Sequence, residues 1–428
     1  MILFGHIAED VEEHFAVGLA GTVVAENALV GSFIGSLSSP GAVAPVRYAL
    51  VAGEGATGNR LVAVRGSRLV VAAPIDQETT PSFTVRVRGT DRTGATSERV
   101  FTIAVRDVKE PPTVSLPPSF AATDQGASGP RFDGVPKLKL PGKGRIIVWS
   151  VVNIEEWEIE RPMARQLSIA PQGKSAIPDM PNWTWYEYGM RVGFWRLMRA
   201  LKKAKVTPTM SLNAKVCETY PEATAAARDA GWEFMAHSYV QMPIQQIADQ
   251  QAEIMQQSID ILQKFTGKFP YGWLGPGRGQ MFDTLDYVAK AGFTWFGDWV
   301  LDDQPIWVNT ANGPLVAIPY SAEINDITMM VSHHHESDVL FNRTRDAFDR
   351  LYLESKESTR ILAIGVHPYV TGQAHRIKYF EQLYAYINKH PGVVHWTGQQ
   401  IHDWYVKQVP KPQRSEEHTS ELQSPYVI

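Results

Sequence analysis

Hydrophobic residues follow two different rhythms along this chain. Up to about residue 113 they alternate with polar ones in short runs closed by turn residues. Examples are S-F-I-G-S-L (Ser32–Leu37), S-R-L-V-V-A (Ser67–Ala72), F-T-V-R-V-R (Phe83–Arg88) and V-F-T-I-A-V (Val100–Val105). A period of two with Gly-rich turns at regular spacing predicts an all-β antiparallel sandwich. From Lys137 onward, unbroken apolar runs alternate with amphipathic stretches. The runs predict buried strands at Ile146–Val152, Val206–Leu212, Trp232–Ala236, Thr294–Gly297, Leu315–Ile318, Ile327–Val331, Ile361–Val366 and Val393–Trp396. Between them, Gly189–Lys205, Pro243–Phe265, Asp283–Ala291, Asp338–Lys356, Gln373–His390 and Gly398–Lys407 carry helical stripes. Repeated β–α units predict a parallel sheet, and their number predicts an α/β distorted (β/α) barrel. The Pro/Gly-rich stretch Pro117–Pro130 reads as a linker. The chain is therefore expected to be multidomain: 1–20 unassigned, a β-sandwich at 21–113, a linker at 114–130, the barrel at 131–412 and a tail at 413–428.

Composition supports the division. All twelve Trp lie at Trp149 or beyond, and no Met occurs between Met1 and Met163. With 428 residues there is ample chain for two cores. A net charge of -4 gives no reason to expect nucleic acid or an acidic membrane surface as partner. The single Cys217 excludes an intrachain disulfide framework and reads as a buried small hydrophobe. No apolar run is long enough to span a bilayer. Met1–Phe15 holds His6, Glu9, Asp10, Glu12 and Glu13, which is unlike a signal peptide, so a cytoplasmic protein or a missing N-terminus is expected. The stretch Arg414–Ile428 is polar and aperiodic. It looks like a translated sequencing adaptor and is expected to lie outside the fold. A homo-oligomer is compatible with this sequence.

Chemistry concentrates where the predicted barrel strands end. R-I-I-V-W-S-V-V-N-I-E-E (Arg145–Glu156) stops on Asn153, Glu155 and Glu156; the next such end is His237-Ser238-Tyr239. Gly275–Gly279 carries Arg278, Trp295-Phe296-Gly297 runs into Asp298 and then Asp302-Asp303, and I-L-A-I-G-V ends on His367-Pro368-Tyr369. In parallel barrels catalytic groups sit at these ends. Two His, an Arg and pairs of carboxylates there predict a hydrolytic site. His333-His334-His335 is expected in an exposed loop, because consecutive strand residues point to opposite faces. Trp183, Trp185 and Tyr186, in the Pro-rich insertion Pro171–Tyr188, fit either a flap or a packed loop.

The order of these motifs resembles the polysaccharide deacetylase (NodB-homology) superfamily over about 131–410, and within it the branch of the cofactor-independent allantoinases. N-I-E-E (Asn153–Glu156) stands where deacetylases carry an Asp pair, and H-S-Y-V-Q (His237–Gln241) stands in for their two-histidine motif. Gly275–Gly279 resembles the arginine motif, Asp302-Asp303 the acidic motif and G-V-H-P-Y (Gly365–Tyr369) the final His motif. R-F-D-G-V-P-K-L-K-L-P-G (Arg131–Gly142) and I-P-Y-S-A-E-I-N-D (Ile318–Asp326) also look typical of the allantoinase-like branch. The first half resembles a cadherin-like repeat over Gly21–Thr113. That resemblance implies calcium ligands at Glu26, Asp76, Glu78 and Asp107. Lys109 replaces an expected Asn and no second repeat follows, so weak calcium binding is expected.

The resemblance implies Glu156 and His237 as metal ligands, yet Gln241 stands where a second metal-binding His would be. Two ligands fall short of the three that catalytic zinc normally has. The expectation is a hydrolase of a non-peptide C–N bond of amide or ureide type, without tightly bound zinc. Glu155 would activate water, His367 protonate the leaving nitrogen, His237 and Arg278 bind the carbonyl oxygen, and Asp303 hold a basic partner. The rivals are a metal-dependent N-deacetylase of an N-acetylated sugar polymer and a non-catalytic adhesion or carbohydrate-binding protein.

Overall fold

The computed structural model describes residues 15–77, 79–108, 113–114, 137–169, 173 and 176–412. Glu78, the linker over 115–130 and the tail over 413–428 lie outside the described residues. The chain divides between Glu110 and Pro111 into two compact units.

Among its described residues the first unit holds eight strands: β1 Gly18–Ala20, β2 Val23–Ala25, β3 Phe33–Ser38, β4 Arg47–Leu50, β5 Val62–Arg65, β6 Arg68–Val71, β7 Ser82–Thr90 and β8 Thr96–Arg106. They form two four-stranded sheets, β1-β3-β6-β5 and β2-β8-β7-β4. Alternation decides which side chains go inside. In β7, Phe83, Val85 and Val87 are buried while Thr84 and Arg86 are partly exposed, the period of two expected of a strand with one wet face. Leu69, Val85 and Ile103 are wholly shielded in the shared core. Of the four residues that the resemblance implied for calcium, Glu26 is buried, and its two carboxylate oxygens accept the amides of Gln77 and Val108 at 2.9 and 2.5 Å. Asp76 accepts the Thr79 hydroxyl, and Asp107 is exposed.

The second unit is built on one curled sheet. Its strands are β9 Thr113–Val114, β10 Ile146–Ile154, β11 Thr209–Leu212, β12 Glu233–Ala236, β13 Gly272–Trp273, β14 Trp295–Phe296, β15 Ile306–Asn309, β16 Leu315–Ala317, β17 Arg360–Val366 and β18 Val393–His395. The run β17-β10-β11-β12-β13-β14-β16 is parallel, with β15 and β9 added antiparallel at one edge and β18 beside β10. No strand pairing joins β16 to β17. A single bridge between Asn325 and Gly365 crosses that seam. A Cβ on Gly365 would stand 2.4 Å from the Tyr320 hydroxyl, so this position admits only glycine at the seam.

Helices α1 Met180–Tyr188, α2 Phe194–Ala204, α3 Val216–Thr219, α4 Pro221–Asp229, α5 Gln251–Thr266, α6 Thr284–Lys290, α7 Val339–Glu354, α8 Ile377–Ile387 and α9 Gly398–Gln408 accompany the strands. Among the described residues no helix is long and apolar enough to cross a membrane.

Two expectations need correction. Ile327–Val331 is not a strand but a π-helical turn, Ile327–Ser332, that buries Ile327, Met329 and Met330. Asn325 starts it by accepting the Ile327 amide on its side chain and the Met329 amide on its carbonyl, so local capping overrides the β-like composition. The end of the Pro-rich insertion is helical, because Asp179 caps Asn182 and proline occupies the first turn. Trp185 and Tyr186 are packed rather than presented as a flap. A π-helical turn, Gly189–Gly193, joins α1 to α2. A Cβ on Gly193 would lie 2.1 Å from the Pro368 carbonyl, so this turn seats helix backbone directly on the loop after β17.

The pleat sorts β10 into two faces. Ile147, Trp149 and Val151 point into the curl, while Ile146, Val148, Val152 and Ile154 face the helices. Trp149 is fully buried, donates its indole N–H to Thr209 Oγ1 at 2.8 Å and meets Trp295 and Tyr320 edge-on at 5.9 Å. Trp149→Ala should lower the stability of this unit by about 3–5 kcal/mol. Urea unfolding followed by tryptophan fluorescence reads it, since every Trp lies in this unit.

Candidate active site

Parity along the strands carries through to the site. Odd-numbered residues of β10 and β17 point into the curl, as Met235 does in β12. Continuing each strand by one residue aims Glu155, His237 and His367 inward at the same end of the sheet. Register keeps them level, because β10 pairs with β17 as far as Val152–Val366 and β11 with β12 as far as Leu212–Ala236.

Glu155 is 2% exposed and surrounded by donors. Trp157 Nε1 and the Tyr369 hydroxyl donate to its Oε2 at 3.0 and 2.6 Å, and Gln241 Nε2 donates to its Oε1 at 2.9 Å. His367 Nε2 lies 3.6 Å from the same Oε1. Burial alone would raise the proton affinity of Glu155. The hydrogen bond and charge of His367, the charge of Arg165 and the Tyr369 hydrogen bond outweigh it and hold the pKa at about 2.

His367 is clamped from behind. Its Nδ1 sits 2.6 Å from Asp326 Oδ1, and Asp326 Oδ2 accepts the His367 amide and the Thr371 hydroxyl. Burial opposes a charged ring here, but the charge and hydrogen bond of Asp326, reinforced by Glu155, lift its pKa to about 9. The ring is an imidazolium at neutral pH, with Nε2–H facing the site.

His237 behaves oppositely. Its Nδ1 lies 2.6 Å from the Leu274 carbonyl, which can only accept, so Nδ1 carries the proton. Burial lowers its pKa, with the charge of Glu155 acting against that. The neutral ring therefore turns an unprotonated Nε2 toward the site. His237 was expected to donate to an oxyanion; this tautomer makes it an acceptor of protons instead.

Arg278 lies on a turn, Pro276–Arg278, after β13, half-buried and with a positive φ of 56°. Its charge acts on Asp298 and Tyr320. Asp298 follows β14, accepts the Gly275 amide at 2.7 Å, and has its pKa pushed up to about 7 by burial. Asp298, rather than Asp303, feels the charge of Arg278.

Three expected site residues are elsewhere. The carbonyl of Asp303 accepts the amide of Ile361, at the opposite end of β17 from His367. Ile361 and His367 are six residue steps apart along the strand, about 20 Å. Asp302 and Asp303 feel the charge of Arg360 rather than any site group. Glu156 has the wrong parity. Its carboxylate turns outward to accept the Thr219 hydroxyl at 2.6 Å, and burial raises its pKa. Glu156 and His237 therefore do not converge on one ion.

The donor set does not suit tightly bound zinc. Among the described residues no three His, Cys, Asp or Glu side chains are grouped to hold a metal ion. A ligating carboxylate needs free lone pairs and a ligating His must be neutral. Glu155 has three hydrogen bonds and the His367 ring against it, and His367 is protonated.

Asp326, Trp157, Tyr369 and Arg165 were not foreseen as site residues. Asp326 and Tyr369 stood in view within I-P-Y-S-A-E-I-N-D and H-P-Y, and Trp157 directly follows N-I-E-E. Arg165 had no such signal.

Residues 182–296 match the polysaccharide deacetylase (NodB) domain family. Its members are hydrolases of carbon–nitrogen bonds other than peptide bonds. Among individual proteins, a Schizosaccharomyces pombe protein assigned as a polysaccharide deacetylase is 28% identical over 291 residues, covering 61% of this chain and 90% of its own. The crystal structure of a probable polysaccharide deacetylase from Pseudomonas aeruginosa PAO1 is similar with a TM-score of 0.60 and 29% identity, covering 65% of this chain and 97% of that one. The crystal structure of Puue allantoinase matches nearly as well, with a TM-score of 0.59, 28% identity, and coverage of 65% and 96%.

Asp326→Asn should drop the His367 pKa from about 9 toward the ordinary 6.5, read by NMR titration of the ring. Asp302→Asn and Asp303→Asn should leave kcat/KM within about twofold of the parent, as expected of residues remote from the site.

Proposed function

We propose that this chain hydrolyses an amide or ureide carbon–nitrogen bond through Glu155, His237 and His367, without tightly bound zinc. The observation that carries this reading is the opposed protonation of two buried rings, one on each side of an ionised carboxylate. A hydrolase acting on such a bond needs a base for water and an acid for the leaving nitrogen at the same pH. His237 Nε2 takes the proton from water as the oxygen attacks the carbonyl carbon. Glu155 holds that water and stabilises the imidazolium that forms. His367 Nε2–H gives its proton to the departing nitrogen, and Arg278 faces the developing oxyanion. Asp326 is a positioning residue: it fixes the His367 tautomer and keeps the ring charged.

The likeness to Puue allantoinase supports the ureide side of this proposal. The family match supports a rival, an N-deacetylase of an acetylated sugar polymer that works through a metal. The two differ over chelation. Prolonged EDTA treatment should leave turnover of a ureide or amide panel intact, and loss restored by one equivalent of Zn²⁺ would defeat the metal-free proposal.

The signs of the two shifts fix the pH profile. The base must be unprotonated, so kcat/KM rises through the His237 pKa, below the ordinary 6.5. The acid must be protonated, so it falls through the His367 pKa, about 9. His367→Gln should remove the alkaline limb and cost about 10²–10⁴-fold in kcat, most for poor leaving groups. Glu155→Gln should cost a similar factor of about 10²–10⁴, and an active glutamine variant would remove the carboxylate from the mechanism.

A further inference from the structure

We propose that Arg165 binds a carboxylate carried by the substrate, a specificity that rests on the reading of the site given above.

Arg165 lies on the segment between β10 and α1, held in place on both sides. Met163 is buried in the main core, and the amides of Leu167 and Ser168 both donate to Asn182 Oδ1, at 2.8 and 2.9 Å. Asn182 is 1% exposed, returns a hydrogen bond to the Ser168 carbonyl and is fastened in turn to Asp179. Between these anchors the arginine is half-buried. Its Nε is shut off from solvent and has no hydrogen-bond acceptor among the described residues. Buried guanidinium N–H groups are ordinarily satisfied, so such an orphan calls for a partner.

That partner is not Glu155. Arg165 is close enough for its charge to act on Glu155 and Tyr369, yet both oxygens of Glu155 already serve Trp157, Tyr369 and Gln241. The charges of His367 and Arg165 both act on Glu155. A planar fork with Nε free matches the two oxygens of a carboxylate.

The test compares hydantoin-5-acetic acid with its methyl ester, two ureides that differ in one negative charge. Steady-state kinetics and calorimetry are run on the parent, Arg165→Gln and Arg165→Lys, with melting temperatures to confirm folding. The parent should favour the acid by about tenfold or more in kcat/KM or in dissociation constant. Arg165→Gln should abolish that preference, with the acid losing at least about tenfold more than the ester. Arg165→Lys, which keeps the charge and loses the fork, should retain part of the preference. It decides the matter if the glutamine variant does not fold. Equal handling of acid and ester by the parent, equal damage to both in the variants, or binding of neither would overturn the assignment. If the acid is bound preferentially through Arg165 but neither compound is cleaved, the carboxylate site stands and the ureide chemistry falls instead.

Discussion

An ionised carboxylate with almost no solvent contact is the constraint on which this site depends. Removing Glu155 from water opposes its charge, and an isolated buried carboxylate would take up a proton instead. Here Trp157, Tyr369 and Gln241 supply neutral donors and His367 supplies a positive ring. That ring keeps its charge only because Asp326 stands behind it. The chain Asp326–His367–Glu155 is thus a sequence of alternating charges. Removing any one member leaves a neighbour buried without its counterpart, which is where buried ion pairs are most costly.

The scaffold delivers these groups by pleat alone. Glu155, His237 and His367 each stand one residue beyond the end of a parallel strand, all with the parity that faces the curl. Glu156 differs from Glu155 by a single position and so faces helix α3 rather than the site. The seam between β16 and β17 lets a second group of residues reach the same place. Asn153 donates to the Tyr320 hydroxyl, Asn325 donates to it as well, and Gly365 leaves room for both. Asp326 comes next in the chain, which sets it beside His367.

Much of this was legible in the residues. Seven of the eight predicted strands of the second half fall on observed strands to within a few residues, because long apolar runs flanked by turn residues leave few alternatives. Two site histidines and Glu155 were marked by their place at strand ends. Parity was not legible, since β10 is apolar on both faces and its alternation carries no polar signature. For that reason both Glu155 and Glu156 were placed in the site, one as base and one as metal ligand. The acidic motif was misplaced for a related reason. Asp302-Asp303 makes the more visible pair, whereas the lone Asp298 stands two residues beyond a two-residue strand. The roles of the two histidines depended on what their Nδ1 atoms touch, a carbonyl in one case and a carboxylate in the other. Those partners lie 37 and 41 residues away in sequence.

The pairing of β10 with β17 has a consequence for how the molecule comes into being. Tyr369 is 214 residues from the carboxylate it donates to, and the central strand of the sheet waits for one of its neighbours until that much more chain has been made. Contacts so distant in sequence are slow to form and follow the local β–α units in time. Until β17 docks, Glu155 has no imidazolium to face and is best left hydrated. The catalytic end of the curl must therefore remain open to water through most of folding and dry out only at the last stage. Catalytic competence is then a late event, coincident with completion of the sheet rather than with collapse of the core.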